Sequence, residues 1–123
     1  MVVDDEPGIR TALRANFLRH GWRVETASCV REAVRNLEGK EFDLVVTDYN
    51  MPGMSGLDVA REVRLMRANL PVAVASGFVD QALRDQAHGA GVWELVLKAA
   101  AVEDLCEIFA RLAQSAGKKP GAL

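Results

Sequence analysis

The sequence predicts an α/β fold, a parallel sheet sandwiched between helix layers. Short apolar runs alternate with stretches whose apolar residues recur at helical spacing, five of each, and this alternation implies right-handed strand–helix–strand crossovers. Leu44-Val45-Val46 and Val72-Ala73-Val74-Ala75 are near-continuous apolar runs of the kind that a sheet covered on both faces requires. The chain has 123 residues, which suits one compact domain with its own core.

Met1-Val2-Val3 reads as the first strand and ends on two acids. Pro7 suits a first helical turn, and Ile9, Leu13 and Phe17 carry that helix up to Gly21. The alternation of Trp22, Val24 and Thr26 predicts the second strand over 22–26. Ser28 is placed to cap a helix bearing Val30, Ala33, Val34 and Leu37, which Gly39 stops. The third strand, from Leu44, delivers Thr47-Asp48 at its C-terminal end. Residues 49–56 form a loop punctuated by Pro52 and Gly53, and Leu57, Val59, Ala60, Val63 and Met66 mark the third helix. Residues 72–76 form the fourth strand, a weak helix is expected from about Asp80 to Ala87, and Leu95-Val96-Leu97 is the last strand, ending on Lys98. The closing helix carries Leu105, Cys106, Phe109, Leu112 and Ala113 on one face. The domain is expected to span 1–116, with 117–123 as a flexible tail. There is no internal repeat, linker or low-complexity segment.

Composition narrows the function. Hydrophobic residues make up 50% of the chain and charged ones 26%, with net charge −2. No basic stripe stands out, and Lys118-Lys119 reads as a solvated chain end, so nucleic-acid binding is not expected. No apolar run approaches the roughly 20 residues needed to cross a bilayer, so no membrane contact is expected. The start of the chain reaches Asp4-Asp5 at once, which does not suit a signal peptide. Cys29 and Cys106 fall in helical patterns without a partner at ligand spacing and read as buried free thiols in a reducing cytoplasm.

In an open parallel sheet, ligands collect at the carboxyl ends of the strands. Those ends supply Asp4 and Asp5 from strand one, Asp48 from strand three, Ser76 from strand four and Lys98 from strand five. Core packing does not require such a set. Neighbouring carboxylates repel, and Mg²⁺, which prefers oxygen ligands at roughly 2.0–2.1 Å, relieves the repulsion. A carboxylate beside such a cation can attack phosphorus, while an ammonium and a hydroxyl receive the phosphoryl oxygens. Gly53 and Gly56 keep the loop after Asp48 tight. Each residue also has a plainer reading: an Asp at a strand end is commonly a cap, Ser76 a strand-end hydroxyl, and Lys98 a surface lysine. Asp43 precedes its strand, belongs at the opposite edge and reads as structural. His20 and His88 are given no catalytic role, and Trp22 and Trp93 read as core or rim packing.

Val2-Val3-Asp4-Asp5-Glu6-Pro7, then Thr47-Asp48-Tyr49-Asn50-Met51-Pro52-Gly53-Met54-Ser55-Gly56, then Ser76-Gly77 and Lys98, resemble the bacterial response-regulator receiver. The resemblance runs from Met1 to about Gln114, and the Asp48-to-Gly56 stretch is its most specific part. It implies a flavodoxin-like (βα)5 three-layer sandwich with sheet order 2-1-3-4-5. It further implies that Asp48 is the phosphoacceptor and that Mg²⁺ is bound by the side chains of Asp5 and Asp48, the backbone carbonyl of Asn50 and, mainly through water, Asp4. Ser76 would swing toward the phosphoryl group and Lys98 would pair with it. The donor would be a phosphohistidine on a histidine kinase or phosphotransfer protein. The chain would be no enzyme beyond its own phosphoryl transfer and later dephosphorylation.

Two positions depart from the pattern. Leu95 stands where many receivers carry a switching aromatic, which moves the expected coupling to the Ser76 loop and the fourth helix. Ala99 follows Lys98 where the family usually has a cis proline, and because a cis bond before alanine costs about 2.5–4 kcal/mol, a trans bond is expected. Rival readings are a Mg²⁺-dependent phosphohydrolase, whose nucleophile is typically on an early strand; an FMN binder, whose phosphate loop Asp4-Asp5-Glu6 would repel; and a degenerate binding-only receiver. The stretch from Trp93 to Leu112 resembles receivers fused at the C-terminus of hybrid histidine kinases. With no lead-in before the first strand and no output domain after the last helix, a piece of such a kinase is expected, with a stand-alone regulator as runner-up.

Overall fold

The computed structural model describes residues 1–98 and 102–114, with side chains in the last helix described from residue 107. The elements are β1 (Val2–Val3), α1 (Pro7–Arg19), β2 (Thr26–Ala27), α2 (Val30–Gly39), β3 (Val45–Asp48), β4 (Asn50–Met51), β5 (Met54–Ser55), α3 (Gly56–Met66), β6 (Val72–Ser76), α4 (Gln81–Ala90), β7 (Glu94–Leu97) and α5 (Val102–Gln114). The sheet order is β2-β1-β3-β6-β7, and every pairing in it is parallel. Counted by the five strands of this sheet, that is the expected 2-1-3-4-5.

Strand alternation divides the core into two layers. Val3, Val45, Val72 and Val74 point into one cluster with Ala33 and Leu37 of α2, Val59, Ala60 and Val63 of α3, and Leu83 and Ala87 of α4. Their neighbours Val2, Val46, Ala73 and Val96 point the other way, onto Phe17 of α1 and Phe109 and Leu112 of α5. A period of two on each strand thus feeds both helix layers, which is why the strands read as continuous apolar runs.

Several local expectations are corrected. The second strand is Thr26–Ala27 rather than 22–26, because pairing is limited to Val2↔Thr26 and Val3↔Ala27. Trp22 instead stacks on Phe17 with ring centroids 5.0 Å apart, and serves as core packing. Ser28 does not cap α2. The cap position is Cys29, and the Ser28 hydroxyl and amide both donate to the Glu32 carboxylate. The Val30 amide, first in the helix, is met by Met54 Sδ at 3.4 Å. Cys29 is accordingly half-buried at a helix end and not inside a helix. Asp43 does lie at the far edge from the strand carboxyl ends, close enough to act on the buried amino group of Met1. α4 runs to Ala90, further than expected; Asp80 Oδ1 accepts from the Leu83 amide at 2.8 Å at its start, and Gly91, at φ +85°, ends it. The Lys98–Ala99 bond, the Cys106 thiol, the boundary at 116 and the tail 117–123 lie outside the described residues.

The loop after Asp48 is more ordered than its sequence suggests. β4 and β5 form a small antiparallel hairpin around Pro52-Gly53, with Gly53 at φ +74°. It feeds directly into α3 through a reciprocal cap: the Leu57 amide donates to Ser55 Oγ at 3.2 Å, and the Ser55 amide donates to Asp58 Oδ2 at 2.9 Å. Ser55→Ala is expected to cost about 1 kcal/mol, read as a lower urea midpoint at unchanged slope.

Candidate functional site

The carboxyl ends of β1, β3, β6 and β7 meet at one edge of the sheet. β1 runs straight into Asp4, whose amide donates to Ala27 O at 3.0 Å and whose Oδ1 accepts from the Glu6 amide at 3.0 Å. β3 ends on Asp48, and the next amide, of Tyr49, is tied to Ala75 O at 2.8 Å. β6 ends on Ser76, whose carbonyl accepts from the Lys98 amide at 2.8 Å and so joins the last two strand ends.

Asp4, Asp5 and Asp48 come together: one carboxylate oxygen of each lies within 4.8 Å of the others. Asp4 is 3% exposed and Asp48 4%, an unusual density of buried acid. Lys98 Nζ stands 2.6 Å from Asp48 Oδ1, an ion pair with the aspartate side chain 2% exposed and the lysine 36%. That contact lacks the alignment of a hydrogen bond, and among the described residues Asp48 Oδ1 has no hydrogen-bond partner. A buried carboxylate oxygen without a hydrogen bond, in a cluster of three acids that one ammonium only partly balances, is a donor set suited to a hard divalent cation.

The electrostatics follow. Burial raises the Asp4 carboxyl above its ordinary value, and Asp48 and Asp5 add to this, against the Glu6 amide and Lys98. Burial would lower Lys98, but the close ion pair with Asp48, with the charges of Asp4 and Glu6, outweighs it and holds the ammonium above its ordinary value. Lys98 is therefore charged at neutral pH. Because Asp4 binds its proton more tightly folded than unfolded, this group's contribution to metal-free stability falls as pH rises from about 3.8 through its raised value. Mg²⁺ is expected to reverse that slope, and its affinity to fall on acidification sooner than for an ordinary aspartate; Mg²⁺ titrations at stepped pH check both.

Ser76 is 1% exposed and at the same edge, but its hydroxyl accepts from the Phe78 amide at 3.3 Å and is engaged with its own loop. Asn50 is exposed and opens β4, two residues past Asp48. Leu95 is half-buried and packs on the α2–α3–α4 side of the core. His20 caps the far end of α1, and His88 lies in the last turn of α4.

Three contacts at this edge escaped the sequence reading. Arg10 Nη1 donates to the Asp4 carbonyl at 2.6 Å, and the fully buried Thr47 hydroxyl donates to the Asp48 carbonyl at 3.1 Å. Tyr49 and Phe78 meet edge to face at 6.4 Å, linking the loops after β3 and β6. Arg10 had a legible signal, lying one helical turn after Pro7; the other two depend on tertiary geometry.

A family model described as the response regulator receiver domain matches residues 1–110. The chain belongs to the response-regulator receiver family. The receiver is similar to the transcriptional regulatory protein KdpE of Mycobacterium tuberculosis, 38% identical over 112 residues, covering 91% of this chain and 48% of that protein. It is also similar to the response regulator protein PilR of Pseudomonas aeruginosa, 35% identical over 112 residues, covering 89% and 25%. The receiver thus spans about half or less of the length of these relatives. Among solved structures, the chemotaxis protein CheY4 of Vibrio cholerae superposes with TM-score 0.86 at 26% identity, covering 90% of this chain and 94% of that one. The response regulator TrrA of Thermotoga maritima, in complex with Mg²⁺ and BeF, superposes with TM-score 0.79 at 32% identity, covering 90% and 95%. Among the described residues of the receiver, no helix is long and apolar enough to cross a membrane.

Proposed function

We propose that this receiver takes a phosphoryl group from a phosphohistidine onto a carboxylate oxygen of Asp48, in a Mg²⁺-dependent step. The observation that carries the proposal is the convergence of Asp4, Asp5 and Asp48 within 4.8 Å, with Lys98 on Asp48. TrrA, similar over most of this chain, was solved with Mg²⁺ and BeF. Asp5 and Asp48 would hold the cation with their carboxylates, Asn50 with its backbone carbonyl, and Asp4 through water. When bound, the cation neutralises the acids and the incoming phosphoryl oxygens.

The chain's own residues do the rest. Asp48 supplies the electron pair that forms the new O–P bond as the P–N bond of the donor breaks, and that bonding pair leaves with the imidazole. Asp48 is held at the sheet edge by its neighbours, the Tyr49 amide donating to Ala75 O and the Thr47 hydroxyl to the Asp48 carbonyl. Lys98, already charged, moves its ion pair from the carboxylate to the phosphoryl oxygens. Ser76 exchanges the Phe78 amide for a phosphoryl oxygen. The added charge, about −1.5 to −2, draws both inward, and the Phe78–Tyr49 loops and α4 shift in population with them. Later attack of water on phosphorus returns the free carboxylate.

A phosphohistidine-bearing kinase or phosphotransfer protein is the proposed partner, in the cytoplasm. The relatives named above are regulators, which favours a response regulator as the setting over the receiver of a hybrid kinase. A small-molecule phosphohydrolase is disfavoured because Asp48 ends the third strand of the sheet. Incubation with a small acyl-phosphate donor and Mg²⁺, followed by intact-mass measurement, tests the proposal. One added phosphoryl group is expected, absent when a chelator removes the metal; an unchanged mass with metal present would refute it.

A further inference from the structure

We infer that Arg10 is a positioning residue for the cation site, holding the Asp4–Asp5 turn so that both carboxylates face Asp48. The inference rests on the metal reading above. Arg10 begins the second turn of α1, its amide donating to Glu6 O at 3.1 Å. Side chains on a helix lean toward its N-terminus, and Nη1 reaches back to the Asp4 carbonyl at 2.6 Å.

Asp4 is held at three points, and they do different things. Its amide on Ala27 fixes the end of β1, and its Oδ1 on the Glu6 amide fixes its own side chain. The carbonyl that Arg10 grips belongs to the peptide joining Asp4 to Asp5. Setting that peptide plane sets the direction in which the Asp5 side chain leaves the backbone. Asp5, half-buried, contributes an oxygen to the cluster.

A guanidinium beside a dication site has two opposed effects, and their signs differ. As a charge it repels Mg²⁺, so its removal would tighten binding. As a clamp on the Asp4–Asp5 peptide it keeps the ligands in register, so its removal would weaken binding. The clamp dominates, because a half-buried cation is screened by solvent while a misdirected carboxylate loses its place in the coordination shell outright.

Calorimetric titration of Mg²⁺ into the metal-free chain tests this with wild type and Arg10→Met. A rise of about fivefold in the dissociation constant is expected, the effect of losing one ordinary hydrogen bond. Equal or tighter binding by the variant overturns the inference, even if its melting temperature falls, since a merely structural role would lower stability and leave affinity unchanged. Should Arg10→Met not fold, Arg10→Gln gives the same reading with a shorter neutral side chain. Failure of the wild type to bind Mg²⁺ would instead overturn the metal reading itself, and this inference with it.

Discussion

Asp48→Asn should leave a folded domain that takes up no phosphoryl group. Removing a nucleophile costs on the order of 10⁴-fold or more in other group-transfer sites, so uptake from an acyl-phosphate donor should vanish from the mass spectrum. The fold should survive, for a reason specific to this site. Deleting one partner of a buried ion pair is costly when it strands a buried charge. Here the stranded partner is Lys98, whose side chain is 36% exposed and also faces Asp4. The substitution at the same time removes one of three mutually repelling carboxylates. Stability is expected to change by no more than about 1 kcal/mol. Phosphoryl uptake at the wild-type rate would contradict the assignment, and loss of the folded state would contradict the accounting of charge.

Gly56→Ala should do the reverse, damaging fold and site together. A Cβ at this position would lie 2.5 Å from the Asp48 carbonyl oxygen, 3.1 Å from its carbon and 3.1 Å from Tyr49 Cα. All three are backbone atoms that cannot rotate away. The Gly56 amide donates to Tyr49 O at 2.8 Å, and the Tyr49 amide is tied to Ala75 O at 2.8 Å, so the segments are pinned against each other. A cost of about 3 kcal/mol is expected, at the upper end of what overpacking gives, with a melting temperature roughly 10 °C lower. Because the displaced backbone is that of Asp48, Mg²⁺ affinity should fall in the molecules that remain folded. A variant within about 0.5 kcal/mol of wild type in urea, with unchanged Mg²⁺ affinity, would show that the hairpin can yield.

What was legible in the sequence was what repeats or what clusters at strand ends. The runs through Val45-Val46 and 72–76 are long enough to declare themselves, and the helices between them bury one stripe each. Sheet order came from the family resemblance, since no local pattern says which strands neighbour. The errors fall where structure is set by partners distant in sequence. β2 is two residues long, fixed by pairing with Val2 and Val3, and the alternation from Trp22 to Thr26 was satisfied instead by Trp22 stacking on Phe17. Ser28 has the chemistry of a cap, yet Glu32 engaged it and Met54, from the hairpin, met the Val30 amide.

The site followed the same division. Asp4, Asp5, Asp48 and Lys98 were legible because each ends or follows a strand whose direction the topology dictates, and the structure brings them together. Ser76 arrived at the right edge with its hydroxyl committed to the Phe78 amide, a contact that only the loop conformation reveals. The contact between Tyr49 and Phe78 likewise depends on two loops from different strands.

Mapping the modified residue is the most direct measurement of the central claim. After incubation with an acyl-phosphate donor and Mg²⁺, proteolysis and fragment-mass analysis should locate the added group on Asp48, and hydroxylamine should remove it, as it does an acyl phosphate. A hydroxylamine-stable phosphoryl group on Ser76, Thr47 or any other residue, with Asp48 unmodified, would contradict it.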